Sequence, residues 1–307
     1  MRIVFMGTPD IAKVCLKQIC ESGYDVVAVY TKPDTPKNRG MKMAMSPVKE
    51  YALSCEIPVY QPVHFKDEET VQQFRDLQPD LAVVVAYGRI LPQSVLDVPP
   101  LGCVNMHASI LPALRGAGPI QWSILNHLPE TGVTAMYMSA GMDEGDIIEI
   151  RKTPIDPMET GSDLMGRLAH IAAGLACDTI EALKNGTVVR TVQDSSRATY
   201  APMLHKGMCP IDWNQPLQYV IDQVRGLIPW PVATAIIQDK SFKIFRVEDA
   251  NKTTDKEPGT LLALTKKGLE VACGCGQVAL ITQLQAEGGK RMAAADYFRG
   301  HPIQINA

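Results

Sequence analysis

The run LAVVVAY at residues 81–87 carries no polar side chain before its closing Tyr. A strand with one wet face alternates polar and apolar residues, whereas an unbroken apolar run suits a strand covered on both faces. Cover of that kind comes from helices joined to parallel strands by crossovers. The chain around this run follows the same logic. RIVFM at the start reads as a buried strand; Thr8 then caps a helix with Pro9 at its first position, running to about Glu21. DVVAVY is a second strand, so residues 2–30 form a β-α-β unit with a right-handed crossover. Ser46-Pro47 opens a short helix, LGCVNMH is a further strand, and Pro119 starts the helix PIQWSILNH. GVTAMYMS and DIIEIRKTPI are two more strands, and a long helical pattern from about Gly161 ends at Asn185-Gly186. The alternation predicts a doubly wound α/β domain over residues 1–189.

Residues 190–206 lose periodicity and read as a linker. From 207 to 307 the character changes: one helix, then VATAIIQ, FKIFRVE, TLLALT, LEVACG and QVALITQLQ, separated by short turns. Short strands so closely spaced predict a small closed sheet, a β-barrel of the OB-like kind, with AAADYFRG as a closing helix.

Hydrophobic residues make up 46% of the 307, enough for a sizeable core. The net charge of −3 marks no global polyanion binder, so any RNA contact has to use local patches. No segment approaches a membrane span, and the apolar start stops at Gly7-Thr8-Pro9, too short for a signal peptide; the expected place is the cytoplasm. The eight Cys show no C-x-x-C pair and no zinc-like spacing. They read as reduced, mostly buried thiols, with Cys273 and Cys275 sharing one strand face and no metal expected.

The chemistry gathers at VNMHASILPALRG, residues 104–116. Asn105 and His107 are two apart on a strand and project to the same face. They stand where the strand runs out, and in open α/β sheets ligands bind beyond the carboxyl ends of strands. An amide donates to an oxygen that gains charge, and an imidazole moves protons near neutral pH. Together they fit attack on a carbonyl without a nucleophilic side chain, and no G-x-S-x-G is present. A carboxylate to orient the imidazole is offered by AGMDEGD, 140–146, where Gly141 and Gly145 permit a tight loop around Asp143, Glu144 and Asp146. Spacing does not choose among those three.

These residues resemble the folate-dependent formyltransferases, and within them the tRNA-directed branch. MRIVFMGTPDIA is similar to the family's opening, VNMHASILPALRGAGPIQW to its signature segment and GMDEGDI to its Asp loop. YAPML, IDW, VRGLIPWP and KRMAAADYFRG are similar to the C-terminal domain of the tRNA-directed members. The resemblance implies a Rossmann-like formyltransferase domain followed by an OB-like tRNA-binding domain. It also implies transfer of a formyl group from the co-substrate 10-formyltetrahydrofolate to the α-amine of methionine on initiator Met-tRNA, for translation initiation. Carried over by position, Asn105, His107 and Asp143 are the catalytic trio. Tyr87, Gly88, Ile90 and Leu91, with Ser109, Ile110, Leu111, Pro112 and Gly141, are the expected folate contacts. Tetrahydrofolate leaves as the second product, and a monomer is expected.

Residues 31–49 hold Lys32, Lys37, Arg39, Lys42 and Lys49 against Asp34 alone, kept out of regular structure by Pro and Gly. Lys37, Arg39 and Lys42 are the expected tRNA contacts. The family's loop has a more basic RGKK centre; here Met41 stands where Lys is common, and Ala113 replaces a frequent basic residue. From residue 207 on, eleven Lys and Arg meet ten Asp and Glu, so RNA contact there has to rest on local clusters: Lys240, Lys243 and Arg246, or Lys290, Arg291 and Arg299. Three other functions fit the sequence less well. The C-terminal motifs and the basic loop argue against a formyltransferase acting on a small amine, the G-x-G-x-x-G of a Rossmann dehydrogenase is absent after the first strand, where only Gly7 stands, and a non-catalytic RNA-binding module leaves the polar trio without a joint task.

Overall fold

The computed structural model describes residues 1–37 and 42–305. The chain divides into two compact units. One comprises Met1–Pro119, Glu130–Pro154 and Met165–Pro202; the other comprises Ile120–Pro129, Ile155–Leu164 and Met203–Ala307. A single boundary near residue 190 does not anticipate the two inner stretches of the second unit. The first carries Trp122 and Leu125, which pack on its core, and the second is held by Arg225, which donates to the Asp156 and Glu159 carbonyls at 3.1 and 3.0 Å.

In chain order the elements begin β1 (Arg2–Gly7), α1 (Asp10–Glu21), β2 (Asp25–Tyr30), β3 (Thr35–Lys37), β4 (Lys42–Ala44), α2 (Pro47–Ser54), β5 (Val59–Tyr60), α3 (Glu68–Asp76) and β6 (Leu81–Val85). They continue with α4 (Gln93–Leu96), β7 (Cys103–His107), β8 (Arg115–Gly116), α5 (Pro119–Leu125), β9 (Glu130–Tyr137), β10 (Ile147–Pro154), α6 (Gly161–Lys184) and β11 (Tyr200–Ala201). Among the described residues, seven strands form the main sheet of the first unit in the order β10-β9-β7-β6-β1-β2-β5. From β5 to β7 neighbouring strands are parallel. The β9–β10 hairpin runs antiparallel and closes one edge.

All five residues of β6 are buried, as its unbroken apolar run requires. Val4, Met6, Ala28, Tyr30, Ala82 and Val84 cluster with Phe65, Phe74 and Val95 on one face, while their alternates Ile3, Phe5 and Val83 are equally inaccessible on the other. The chain lays down β1, β2 and β5 outward, then returns to place β6 on the opposite side of β1. The reversal between β1 and β6 is a topological switch point, where ligands bind in folds of this kind.

Thr8 does not cap α1. That helix opens at Asp10 behind Pro9 without a side-chain cap. The Thr8 hydroxyl instead spans the switch point, donating to the Tyr87 carbonyl at 3.2 Å. Ser46 does cap α2, accepting from the Lys49 amide at 3.1 Å.

The segment read as a linker is ordered against the first unit. Thr191 exchanges two backbone hydrogen bonds with Ile147, and Thr199 accepts from the Arg115 amide at 2.9 Å. Tyr200 and Ala201 pair with Arg115 and Gly116. This stretch has no period because it satisfies its groups one at a time, against the first residue of β10 and against β8.

The second unit continues with α7 (Leu217–Gly226), β12 (Thr234–Ile237), β13 (Lys240–Thr253), β14 (Leu261–Leu264), β15 (Leu269–Ala272), β16 (Gln277–Ala286), β17 (Met292–Ala293) and α8 (Ala294–Gly300). Its sheet runs β12-β13-β16-β15-β14, with β17 added beside β16. Neighbours are antiparallel, as expected of an OB-like domain. Among the described residues β12 and β14 do not pair with each other, so the sheet is a curled half-barrel rather than a closed one. Leu217, Val220 and Val224 form one stripe of α7 that, with the following Leu227, shares a core with Phe242, Ile244 and Phe298.

All eight cysteines are free, with Cys15, Cys103, Cys209 and Cys273 buried. Burial pushes the Cys103 thiol up to about 12. Cys273 and Cys275 do not share a strand face: β15 ends at Ala272, and Cys275 is exposed in a turn with φ of 60°. Among the described residues no helix is long and apolar enough to cross a membrane.

Candidate active site

β7 ends at His107, and the chain turns at once into the loop that leads to β8. The imidazole is buried, its side chain 6% exposed. Its Nε2 donates to the Leu114 carbonyl at 2.9 Å. A carbonyl can only accept, so Nε2 carries hydrogen and Nδ1 is the nitrogen left to gain or lose a proton. Nδ1 lies 3.7 Å from the Asp143 Oδ2 atom. Asn105, two residues back on the same strand face, is half-buried. Among the described residues its side-chain amide has no hydrogen-bond partner.

Of the three acidic candidates in the 140–146 loop, Asp143 faces the imidazole. Glu144 lies 3.7 Å from the buried Arg115 guanidinium instead. The Asp143 carboxylate is aimed by the Gly116 N–H, which donates to the same Oδ2 atom at 2.8 Å. Gly116 sits in the left-handed region at φ +115°, and a Cβ there would stand 2.8 Å from the Ala201 carbonyl oxygen. We expect Gly116→Ala to cost about 1–3 kcal/mol in urea unfolding and to slow turnover by shifting the donor to Asp143. A variant of unchanged stability and activity would show that this turn does not hold the carboxylate.

Two residues that hold the loop were not read from the sequence. Arg115, only 2% exposed, donates through Nε and Nη2 to the Gln193 side-chain oxygen. Gln193 in turn donates to the carbonyls of Asp143 and Gly145. Arg115 stood in view within the 104–116 segment, but Gln193 lies in an aperiodic stretch that offers no burial signal.

The expected folate contacts fall into two groups. Tyr87 to Leu91 follow the carboxyl end of β6, beside the end of β7. The Tyr87 ring is buried, which pushes its phenol up to about 12, and its hydroxyl has no partner among the described residues. Gly88 adopts φ +70°, and a Cβ there would collide with the Lys32 ammonium. Ile90 is 89% exposed beside the buried Leu91. Among the described residues the backbone amides of Ile90 and Leu91 make no hydrogen bond.

The second group is more self-contained. Ser109 donates to the Ala113 carbonyl at 2.6 Å, and the Leu111 amide donates to Thr134 Oγ1 at 3.2 Å. Ile110 and Pro112 are partly exposed on this internally bonded loop. Gly141 lies directly against the Glu144 side chain.

For the basic segment, Lys37 and Lys42 pair across the β3–β4 ladder, and Arg39 lies outside the described residues. The base of the segment is fastened: Lys49 donates to Asp34 and to Gln61, each at 2.7 Å. Those hydrogen bonds from Lys49 and Gln61 hold the Asp34 carboxyl below the usual carboxylate range. In the second unit Lys243 and Arg246 are exposed on β13, and Arg246 is paired with Glu248. The Arg291 guanidinium lies 4.6 Å over the Phe245 ring, whereas Arg299 pairs with Asp296.

An imidazole and a carboxylate face each other near the strand ends of a doubly wound sheet, with an amide that has no hydrogen-bond partner among the described residues two positions back on the same strand. Comparison with known proteins gives the class. A family model described as formyl transferase matches residues 1–180, and one for the formyl transferase C-terminal domain matches residues 203–302. Methionyl-tRNA formyltransferase of Trichlorobacter lovleyi is 44% identical over 304 residues, covering 99% of this chain and 95% of its own. That of Citrifermentans bemidjiense is 45% identical over the same length, with the same shares covered. The chain belongs to the methionyl-tRNA formyltransferase family. In fold it is similar to the crystal structure of an N-formyltransferase from Helicobacter canadensis in complex with folinic acid and dTDP-3-aminofucose. That match has a TM-score of 0.66 and 19% identity, covering 91% of this chain and 98% of the other.

Proposed function

We propose that this protein transfers a formyl group from 10-formyltetrahydrofolate to the α-amine of methionine esterified to initiator tRNA. Asn105, His107 and Asp143 are the catalytic trio of this reading, and the protein works in the cytoplasm as a monomer. The observation that carries it is the pairing of His107 Nδ1 with Asp143 at 3.7 Å, beside an amide left without an internal partner. The residues at hand fit the folate. The unbonded backbone amides of Ile90 and Leu91 suit the polar edge of its ring system, and the exposed Ile90 side chain suits its apolar face. When bound, the folate supplies an activated one-carbon acyl group.

The protein's own residues do the rest. A methionine α-amine has a pKa near 8, so part of it is already a free nucleophile at neutral pH. Asn105 donates to the formyl oxygen as that oxygen gains charge. As the amine nitrogen bonds to the formyl carbon, that carbon's bond to folate N10 breaks; His107 takes up the proton lost by the amine at Nδ1, because Nε2 is occupied by Leu114, and returns it to N10 so that tetrahydrofolate leaves neutral. Asp143 stabilises the imidazolium so formed.

Incubation with 10-formyltetrahydrofolate and charged initiator tRNA should yield N-formylmethionyl-tRNA. Absence of that product, or formylation of an amino-sugar nucleotide in its place, would overturn the reading. For the basic segment we expect Arg39→Ala to lose about 1 kcal/mol of Met-tRNA affinity, roughly fivefold in KM, with the KM for folate unchanged. Equal changes in both constants, or none, would remove the segment from tRNA recognition.

A further inference from the structure

We propose that Gln193 is a positioning residue for formyl transfer: it locks the Asp143 loop onto Arg115 and thereby sets where the carboxylate stands against His107. The proposal rests on the roles given above to His107 and Asp143. A primary amide has two N–H donors and two lone pairs on its oxygen. Gln193 uses all four. Its Nε2 donates to the Asp143 carbonyl at 2.9 Å and to the Gly145 carbonyl at 2.7 Å. Its oxygen accepts from Arg115 Nε at 3.2 Å and from Nη2 at 2.8 Å. Gln193 is 7% exposed, so these bonds form where water does not compete for them.

The loop needs such a holder. Asp143 is a non-glycine residue at φ 52°, a conformation that persists only where its surroundings impose it. Its carbonyl is gripped by Gln193 and its carboxylate by the Gly116 N–H. Both grips trace to the same dipeptide, Arg115-Gly116, so the main chain and side chain of Asp143 share one reference point. A Glu at 193 keeps an acceptor for Arg115 but turns an oxygen toward two carbonyl oxygens, which separates the positioning function from mere filling of space.

The test is a double-mutant cycle. Gln193→Ala and Gln193→Glu are made in the wild-type and Asp143→Asn backgrounds, and read by single-turnover formyl transfer, folate KM and urea unfolding. In the wild-type background both variants should lower the transfer rate about 10- to 100-fold, with little change in the KM for folate. In the Asp143→Asn background they should add almost nothing, because the group they position is already disabled. The controls separate the layers: an inactive wild type sinks the functional reading, and an Asp143→Asn protein of normal rate sinks the trio. With both controls behaving, equal fold-losses in the two backgrounds, or a Gln193→Glu protein of wild-type rate, overturn the positioning role. If Gln193→Ala does not fold, the Glu variant carries the cycle. A Glu variant that also fails to fold makes Gln193 structural and overturns the proposal as well.

Discussion

Replacing His107 with Ala is expected to lower the rate of formyl transfer by about 10²–10⁴-fold, the range lost when a positioned acid–base group is removed. The ring has two jobs that the substitution removes together. Nδ1 faces Asp143, and Nε2 donates to the carbonyl of Leu114, a residue held at φ 60°. Loss of the second bond leaves a buried carbonyl unpaired, at about 1–3 kcal/mol of stability. His107→Gln separates the two. Its terminal amide nitrogen reaches toward the position of Nε2 and can still donate to Leu114, but nothing remains that titrates. Stability should therefore fall in the Ala variant and be largely restored in the Gln variant, while single-turnover rates stay low in both. A Gln variant within tenfold of wild type would make His107 a structural hydrogen-bond donor and remove it from proton transfer.

The parts of this site that were legible in the sequence are those carried by strands. Asn105 and His107 share a face because a strand repeats every two residues, and the strand itself is marked by its apolar run. The sheet was legible for the same reason: β6 has no polar residue to give it a wet side. What periodicity does not encode is where a loop residue's hydrogen bonds go. Thr8 stands before Pro9 as a cap residue would, yet its hydroxyl is satisfied across the switch point by Tyr87, 79 positions away. Gln193 lies in a segment that looks like tether, and its partners are supplied by two distant stretches of chain, the Asp143–Gly145 loop and Arg115.

The choice of Asp143 over Glu144 and Asp146 came from resemblance, since three carboxylates within four residues have no distinguishing period. The structure supplies a physical difference: the Gly116 N–H fixes one of them and Arg115 draws another away. Among the described residues the second sheet does not close, because a run of strands makes a barrel only if the first and last of them meet. Here β16 spends its second half pairing with β17, and the edges at β12 and β14 stay apart.

Asn105→Ala should lower the transfer rate by about 10²–10³-fold, the usual consequence of deleting one donor to a developing oxyanion, and should do so with almost no effect on folding. The contrast with His107 follows from the hydrogen bonds. The Asn105 amide has no partner among the described residues, so truncating it orphans nothing, and a half-buried substitution of this kind is expected within about 0.5 kcal/mol of wild type. Because the donor gains strength only as charge builds on the oxygen, the loss should fall on the chemical step and leave the KM for folate nearly unchanged. Asn105→Asp sharpens the test. The side chain keeps its size but presents a negative charge toward an oxygen that is itself becoming negative, so its rate should lie below that of the Ala variant. A rise in folate KM with an unchanged transfer rate, or an Asp variant faster than Ala, would show that Asn105 holds the ground-state ligand and does not stabilise the transition state.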